Sequence, residues 1–328
     1  MQSAVIIALV RGIVSFSCAL AITAPAAAQS YPHKPVRVIV GYAPGGSGDV
    51  MARVFGQRLS ESWSQQMIVD NRPGANGMIG AAAVARAAPD GYTFLFGYVS
   101  EVAINPSLYS KMTYDPAREL VPVAMGGVLP LLLVSNPSLP AKSVRDLIRL
   151  AKARPGELTY GSAGYGSPAH LGAEYLKRTA GVDITHVPYK GGAEVVTAIL
   201  SGQVMVFFSG IPPAIAHVRS GRLRALAVST AARVPGLEEV PPVAEAGVQG
   251  FDMAGWFGYF APTGTPRDVI DKLASGVSAI LRQPETGRLF VQQGIVIAEM
   301  GPEKFAPFIQ AEAQKYARII RESGAKAE

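Results

Sequence analysis

Two glycine-rich turns contain the residues of this sequence best suited to binding an anion. The first is Gly-Tyr-Ala-Pro-Gly-Gly-Ser-Gly-Asp at residues 41–49, and the second is Gly-Ser-Ala-Gly-Tyr-Gly-Ser-Pro-Ala-His at residues 161–170. Glycine lets a ligand approach the main chain, and the first N–H groups of a following helix point outward. Such turns bind anions without a lysine or a metal. The sequence therefore predicts two anion-binding loops.

The same turns also suit ordinary strand-to-helix connections. In the first, Ser47 or Asp49 would then be the helix cap. The usual nucleotide-binding signatures, a Gly-Lys-Ser/Thr ending or a full G-x-G-x-x-G with a later acidic residue, are missing. In the second, His170 falls on the first helical turn, where the dipole disfavours its cation. A hydrogen bond that braces the loop suits this histidine better than catalysis.

Strand and helix patterns alternate around both turns. Residues 36–40 form a β-branched run, and apolar spacing over residues 50–59 predicts a helix. Before the second turn, residues 158–160 suit a strand, and Ser167 with Pro168 suits the start of the next helix. This alternation predicts an α/β protein.

A further aromatic strand at residues 92–97 ends at Tyr98, Ser100 and Glu101. Ligands of open α/β sheets collect at the carboxyl ends of strands, which makes these residues candidates for the pocket. Glu101 equally suits a solvated loop carboxylate or a cap. The strand ends near Tyr189 and Ser209 are candidate pocket walls for the same reason.

Two apolar stretches, residues 121–134 and 253–260, predict strands that cross between two domains. The predicted domains are residues 29–126 with 254–328, and residues 127–253. A final amphipathic helix over residues 302–323 is expected to lie across the first domain.

The first 28 residues are predicted to be a cleaved export signal. They combine a sparse positive charge, an apolar core over residues 12–22 and small residues before Gln29. Cys18, the only cysteine, falls inside this segment, so the mature chain is expected to lack thiols, disulfides and cysteine metal ligands. A periplasmic location fits best.

Composition points away from several classes of function. The formal net charge of +6 is spread along the chain, which disfavours nucleic-acid binding and suits small anionic ligands. The four histidines show no metal-ligand spacing, and the sequence pairs no nucleophile with a base. We therefore predict no metal, no cofactor and no enzymatic activity.

Nine short motifs follow one another along the chain. They are Tyr-Ala-Pro-Gly-Gly-Ser-Gly-Asp at 42–49, Asp-Asn-Arg-Pro-Gly-Ala-Asn-Gly at 70–77, Ala-Pro-Asp-Gly-Tyr-Thr at 88–93, Ile-Asn-Pro-Ser-Leu-Tyr at 104–109, Gly-Ser-Ala-Gly at 161–164, Ser-Pro-Ala-His-Leu at 167–171, His-Val-Pro-Tyr-Lys-Gly at 186–191, Gly-Arg-Leu-Arg-Ala-Leu-Ala-Val at 221–228 and Ala-Pro-Thr-Gly-Thr-Pro at 261–266. In this order, and over essentially the whole mature chain, they resemble the Bug family, the periplasmic solute receptors of tripartite tricarboxylate transporters.

The resemblance implies a two-domain periplasmic-binding-protein (Venus flytrap) architecture with two β-strand crossovers. It also implies that a carboxylate binds in the interdomain cleft through main-chain N–H groups, hydroxyls and waters, and that the closed form docks on the membrane components of a transporter. The predicted ligand-binding residues are Tyr42, Pro44, Gly45, Gly46, Ser47, Asp49, Tyr98, Ser100, Glu101, Ser162, Ala163, Gly164, Tyr165, Ser167, His170, Tyr189 and Ser209.

Some positions depart from the family pattern. Glu101 stands where relatives commonly have a small or polar residue, and Tyr165 where asparagine is frequent. Ser209 and Gly210 stand where an Asp-Asn-like pair, suited to an amino group, is common. These differences favour a di- or tricarboxylate, or an aromatic acid, over an amino acid, with Tyr98 and Tyr165 flanking a longer or aromatic ligand.

Two other functions stay open at this level. A ligand sensor for a signalling system, with a sensor kinase as partner, would have the same cleft. An α/β enzyme acting on a small anion would need an acid–base pair or nucleophile that the sequence does not reveal. A receptor with a single cleft is expected to be a monomer.

Overall fold

The computed structural model describes residues 31–189 and 191–326, so the predicted export signal with Cys18 lies outside the described residues. All features discussed below belong to one unit, Lys34–Glu328. Its strands are β1 (Val36–Val40), β2 (Met67–Asn71), β3 (Thr93–Tyr98), β4 (Leu120–Ser135), β5 (Thr159–Ser162), β6 (Thr185–Pro188), β7 (Val206–Gly210), β8 (Arg224–Val228) and β9 (Ala254–Pro262).

Helices connect most of these strands. They are α1 (Ser47–Trp63), α2 (Met78–Ala85), α3 (Asn105–Leu108), α4 (Pro116–Glu119), α5 (Val144–Ala153), α6 (Pro168–Ala180), α7 (Gly192–Leu200), α8 (Ile211–Arg219), α9 (Arg267–Leu281), α10 (Pro284–Gln292) and α11 (Pro302–Ser323), with a 3-10 turn at Ala75–Gly77 and a π-helical turn at Ser100–Ile104. Among the described residues, no helix is both long enough and apolar enough to cross a bilayer.

The strands form one mixed sheet in the order β2-β1-β3-β9-β4-β7-β5-β6, and β8 also pairs with β4. The long strand β4 divides this sheet into two parts. Up to Pro130 it pairs with β9, and from Leu131 onward it pairs with β7 and β8. We call the part built on β1, β2, β3, β9 and the start of β4 lobe 1, and the part built on β5 to β8 and the end of β4 lobe 2.

This arrangement confirms the predicted α/β class, with β4 as the strand that runs through both lobes. β9 begins where the lobes join, since Ala254 pairs with Pro130, and then continues within lobe 1. Twelve of the sixteen residues of β4 are buried and the other four are half-buried, which explains the continuous apolar run in the sequence. The residue limits of the two domains stay a prediction.

Aromatic side chains fill the core of lobe 1 between α1 and the sheet. Phe55 of α1 contacts Phe96 and Tyr259 at centroid distances of 5.8 and 5.9 Å. Each such ring contributes about 2 kcal/mol on burial. Their packing fixes the start of α1 relative to the end of β1, where the first glycine turn lies.

The final helix, α11, matches the predicted bounds but contacts more than predicted. It packs on the π-helical turn, α3 and β4 in lobe 1, and also on α6 of lobe 2. Its Glu312 accepts a hydrogen bond from Trp256 Nε1 at 2.9 Å, and Phe305 and Phe308 contact the edge of that indole. Trp256 is therefore a packing residue at the junction of the lobes.

Two boundaries differ from what the sequence pattern indicates. The apolar run at residues 204–208 suits a strand, but β7 begins two residues later, because the N–H groups of Gln203 and Val204 both donate to Ala198 O and close the end of α7. The loop predicted after β3 is instead the π-helical turn and α3. Its buried residues had no periodic pattern long enough to predict a helix.

Candidate ligand-binding site

The lobe 1 loop, residues 41–46, connects β1 to α1. Its residues Pro44, Gly45 and Gly46 are exposed, and Gly45 has a φ of +85°, a value that favours glycine. The next helix, α1, begins at Ser47, and among the described residues no side chain caps it. The first N–H groups of α1 thus remain available to an anion, which the helix dipole also favours.

Asp49 braces this loop from inside. Its Oδ2 accepts hydrogen bonds from Gly45 N–H and Arg53 Nε, both at 3.0 Å, and Arg53 Nη2 lies 2.9 Å from Oδ1. Burial opposes ionisation of Asp49, but the bonds from Arg53 and Gly45 outweigh it and lower the pKa of the carboxyl. The alternative in which Ser47 or Asp49 caps α1 was therefore wrong.

Glu101 lies beneath the same loop and is fully buried. Its Oε2 accepts hydrogen bonds from Tyr98 N–H at 3.1 Å and from Tyr42 OH at 3.3 Å. Burial raises the pKa of Glu101 to about 8, so this carboxyl holds its proton at neutral pH. The alternative of a solvated loop carboxylate was wrong.

Two predicted aromatic residues support the loop from below. Tyr98 stacks on Phe257 at a centroid distance of 4.4 Å, and Tyr42 meets the Tyr98 ring edge-on at 5.8 Å. A Cβ added to Gly255 would lie 2.0 Å from Tyr98 Oη, so the Tyr98 side chain fills the space that this glycine leaves. Ser100, next to Glu101, is also fully buried.

Sequence analysis missed an asparagine pair beside the loop. Asn76 Nδ2 donates to Asn105 Oδ1 at 2.8 Å, and Asn105 Nδ2 donates back to Asn76 O at 3.0 Å. Asn76 has a φ of +51°, which asparagine tolerates. Both residues lie within quoted motifs, yet only the fold shows that they join two segments that are 29 residues apart.

The lobe 2 loop, residues 161–167, is held by its own hydroxyls. Ser162 Oγ contacts Gly164 N–H at 3.2 Å and lies 2.7 Å from His186 Nε2. Ser167 Oγ donates to Gly164 O at 2.7 Å and, as the predicted cap of α6, accepts from His170 N–H at 3.3 Å. Gly164 has a φ of +106°, so the tight turn needs glycine.

His170 has the bracing role that its position predicted. Its Nδ1 accepts a hydrogen bond from Gly166 N–H at 3.1 Å, which requires an unprotonated Nδ1. Burial and the neighbouring His186 lower the pKa of His170 to about 4. His170 is therefore neutral at physiological pH.

Four rings form one cluster behind the lobe 2 loop. His186 stacks between Tyr160 and His170 at centroid distances of 4.7 and 4.5 Å. Tyr165 meets both histidines edge-on, at 5.4 Å from His170 and 5.0 Å from His186. The Tyr165 ring thus folds back onto the loop, and His186, which is not among the predicted ligand-binding residues, lies at the centre of the cluster.

The remaining predicted residues of lobe 2 occupy two places. Tyr189 joins the lobe 2 loop, since its N–H donates to Ser162 O at 3.0 Å. Ala163 is half-buried in the same loop. Ser209 is fully buried at the end of β7, where its hydroxyl donates to Gly210 O at 2.8 Å.

The lobe 2 loop contacts lobe 1 through Gly166. Gly166, with a φ of +72°, lies so close to lobe 1 that an added Cβ would be 2.1 Å from Leu108 Cδ2 and 3.4 Å from Asn76 Nδ2. The lobe 2 loop therefore contacts the α3 end and the asparagine turn of lobe 1. The predicted residues form two groups, one on each side of this contact.

The chemistry of the two groups suits an anion. Exposed main-chain N–H groups, hydroxyls and a helix start dominate, and the one ionised carboxylate, Asp49, is neutralised by Arg53. Within residues 31–189 and 191–326, no three His, Cys, Asp or Glu side chains are grouped in a way that would hold a metal ion.

Comparison with known proteins places this geometry in one family. The profile described as "Tripartite tricarboxylate transporter family receptor" (TctC) matches residues 51–325. The protein BugT of Bordetella pertussis is 39% identical over 312 residues, which are 95% of this chain and 96% of BugT.

Solved structures agree with the sequence relatives. An R. palustris protein with adipate has a TM-score of 0.85 and 37% identity, covering 90% of this chain and 99% of that protein. MatC of Rhodopseudomonas palustris, with bound malate, has a TM-score of 0.80 and 30% identity, covering 88% of this chain and all of MatC. This chain therefore belongs to the TctC family of tripartite tricarboxylate transporter receptors, the Bug-type solute-binding proteins that its motifs predicted.

Proposed function

We propose that this protein binds a small carboxylate, either a di- or tricarboxylate or an aromatic acid, between lobes 1 and 2 and delivers it to the membrane components of a tripartite tricarboxylate transporter. The observation that carries the proposal is the contact of Gly166 with Leu108 and Asn76. In this contact the lobe 2 loop meets the asparagine turn and α3 of lobe 1, and the hydroxyl of Tyr42 in the lobe 1 loop contacts Asn76 O. The adipate and malate bound by two relatives support a carboxylate ligand.

Each loop offers one carboxylate group its donors. On lobe 1 these are the N–H groups around Gly46 and Ser47 at the uncapped start of α1. On lobe 2 they are main-chain N–H groups of the turn at residues 163–165, of which Gly164 N–H also bonds Ser162 Oγ within the loop. Hydrogen bonds to a charged group contribute about 1.5 to 3 kcal/mol each, so a few on each side suffice for micromolar affinity.

Binding both carboxylates favours the closed state. A ligand that contacts one loop gains nothing from closure, whereas a ligand that spans both gains its second set of hydrogen bonds only when the lobes meet. The closed form is the state that we propose docks on the transporter. A monomer suffices for this role.

We assign two different roles to the predicted residues, ligand contact and support of the loops. Pro44, Gly45 and Gly46 are exposed and suit direct contact with the ligand. Ser162, Glu101 and His170 are buried and suit support of the loops. Direct contact of each residue with ligand stays a prediction.

The Ser162 and His186 pair does not favour an enzyme. The 2.7 Å distance between Oγ and Nε2 resembles that of a nucleophile and its base. However, Ser162 is fully buried, and Gly164 N–H donates to the same oxygen. The pair therefore suits a structural role, and we expect no turnover of a bound carboxylate.

Location and domain limits belong to the same proposal. The residues before Gln29 are proposed to export the chain to the periplasm and to be cleaved. The proposed domains are residues 29–126 with 254–328, and residues 127–253. The change of partner of β4 at Leu131 supports this division.

Isothermal titration calorimetry on the mature protein tests the proposal. The panel contains adipate, malate, citrate, benzoate, aspartate and glutamate. We expect binding of at least one acid without an amino group, and no loss of that acid on prolonged incubation. Binding of aspartate or glutamate alone would contradict the ligand class, and binding of none would contradict the function.

A further inference from the structure

Glu101 is buried directly under the lobe 1 loop, in the π-helical turn that follows β3. One carboxyl oxygen, Oε2, accepts from Tyr98 N–H and Tyr42 OH. The main-chain oxygen of Glu101 accepts from Tyr114 OH at 2.7 Å. The residue is thus fixed at both its backbone and its carboxyl group.

Two glycines lie so close to this carboxyl group that a side chain on either would clash with it. A Cβ added to Gly77 would lie 2.5 Å from Oε1, and one added to Gly41 would lie 2.8 Å from the same atom. Gly41 begins the lobe 1 loop, and Gly77 ends the turn that contains Asn76. The carboxyl group therefore fills the space between the loop and the turn.

The second carboxyl oxygen, Oε1, is buried and has no hydrogen-bond partner among the described residues. A Cβ added to Gly41 would lie 2.8 Å from Oε1 and 2.9 Å from the carbonyl oxygen of Gly77, so both oxygens border Gly41. An ionised carboxylate would leave negative charge on a buried oxygen that no donor reaches among the described residues, whereas a protonated carboxyl group is neutral.

The titratable groups that face Glu101 are tyrosines. They are Tyr42 from the lobe 1 loop, Tyr98 from β3 and Tyr114 from the segment after α3. Burial raises the pKa of Tyr42, Tyr98 and Tyr114, so all three stay neutral. Within residues 31–189 and 191–326, no cation is among the groups that shift the pKa of the Glu101 carboxyl.

We propose that Glu101 is a positioning residue for the carboxylate site of lobe 1, and that it acts as a protonated carboxyl group that joins the lobe 1 loop to the Gly77 turn. The effect of Glu101 on ligand affinity rests on the proposed function, whereas the protonation of Glu101 does not. Ionisation would introduce a negative charge beneath the anion site and open the contact between the two segments. The form that binds a carboxylate is then the protonated form only.

The consequence is an affinity that falls in alkaline solution. Burial raises the pKa of Glu101 to about 8, so at pH 9 only about one molecule in ten keeps the proton. Apparent affinity falls with the competent fraction, which predicts about a tenfold weaker binding at pH 9 than at pH 7. The carboxyl groups of adipate stay ionised over this whole range, so the ligand does not contribute to the change.

The test compares the wild type with Glu101→Gln, whose amide mimics the protonated acid. Calorimetry with adipate from pH 6.5 to 9 should show the tenfold loss in the wild type and a flat profile in the variant. A purely structural residue would give the same profile in both proteins. A flat wild-type profile, or an equal fall in the variant, would overturn the proposal.

Infrared spectroscopy of the ligand-free protein supplies a second readout. The difference spectrum between wild type and Glu101→Gln should contain the carbonyl band of a protonated carboxyl at pH 7, which disappears with a midpoint near pH 8. A carboxylate band at pH 7 would overturn the proposal. If adipate bound neither protein, the proposed function would fail for adipate while this titration still decided the protonation of Glu101.

Discussion

Single residues set the shape of the lobe 1 loop. Gly45 adopts a φ of +85°, and its N–H group is already used by Asp49. The proposed donors to the anion are therefore the N–H groups that come after Gly45, at the start of α1. Arg53 is essential to this arrangement because it pairs with a carboxylate that is almost fully buried.

Replacing Arg53 by methionine should destabilise the protein. Asp49 would keep its hydrogen bond from Gly45 but lose its charged partner, at a cost of about 1 kcal/mol, since Arg53 itself is half exposed. Urea denaturation would measure the loss. Arg267→Met is the matched control, because Arg267 pairs with Asp271 four residues away where both side chains are exposed. Equal effects of the two substitutions would contradict the bracing role of Asp49.

At this scale the sequence predicted where a candidate site lies but not how its polar groups are used. The glycine spacing predicted two turns that suit an anion. Asp49 was equally compatible with a cap and a ligand contact, and only the position of Arg53 in space decided between bracing and capping. Glu101 was predicted at a strand end, yet its burial depends on Gly41 and Gly77, which come from other segments.

The helices that follow the two loops, α1 and α6, position them through their first turns. α6 begins at Pro168 with Ser167 as a side-chain cap, whereas α1 begins without one. The first turn of α6 also contains His170, whose ring belongs to the cluster behind the loop and accepts a hydrogen bond from Gly166 N–H. The lobe 2 loop is therefore held by more side-chain hydrogen bonds than the lobe 1 loop.

Ser167→Ala should lower both stability and ligand affinity. Loss of a helix cap costs about 1 kcal/mol, and the lobe 2 loop also loses the bond from Ser167 Oγ to Gly164 O. Ser143→Ala removes the corresponding cap of α5, where Ser143 Oγ accepts from Asp146 N–H at 3.1 Å. We expect thermal unfolding to shift similarly in both variants, but calorimetry with adipate to change only for Ser167→Ala. A change of affinity for Ser143→Ala of the same size would contradict the assignment.

Most long elements and both of these caps were predictable, because apolar periodicity and the Ser/Pro signals at helix starts are local. The π-helical turn and α3 were not. Their side chains are buried by α11, which lies about 200 positions further along the chain, so tertiary packing rather than local preference determines them.

At the scale of the whole molecule, the proposed function depends on the approach of the two lobes. β4 runs through both, and α11 packs on both, so the junction is continuous while the loops lie on either side of the cleft. The sequence predicted this division from its apolar crossing strands. It could not predict that α11 also contacts lobe 2, because an amphipathic stripe shows that a face is buried but not against which neighbour.

Gly166→Ala should weaken adipate binding by blocking closure. Its added Cβ would overlap Leu108, so the lobes could not meet, and we expect affinity to fall about tenfold or more. The positive φ adds backbone strain of about 1 to 2 kcal/mol. Gly181→Ala is the control, since Gly181 has a φ of +61° with no atom within 4 Å of its Cβ.

A second substitution separates closure from strain. Leu108→Ala in the Gly166→Ala background should recover most of the affinity, because it removes the atom that the new methyl group meets. If the double variant stayed as weak as Gly166→Ala, or if Gly181→Ala lost as much affinity, closure across Gly166 would not be the cause.

The central claim is that two loops each hold one end of an acid. Calorimetric titration of each diacid that binds, beside its monomethyl ester, tests this claim most directly. The ester keeps the length of the ligand but removes one charge, so it should lose one loop's charge-assisted hydrogen bonds and bind at least about tenfold more weakly. A monoester that binds as tightly as its diacid would contradict the account.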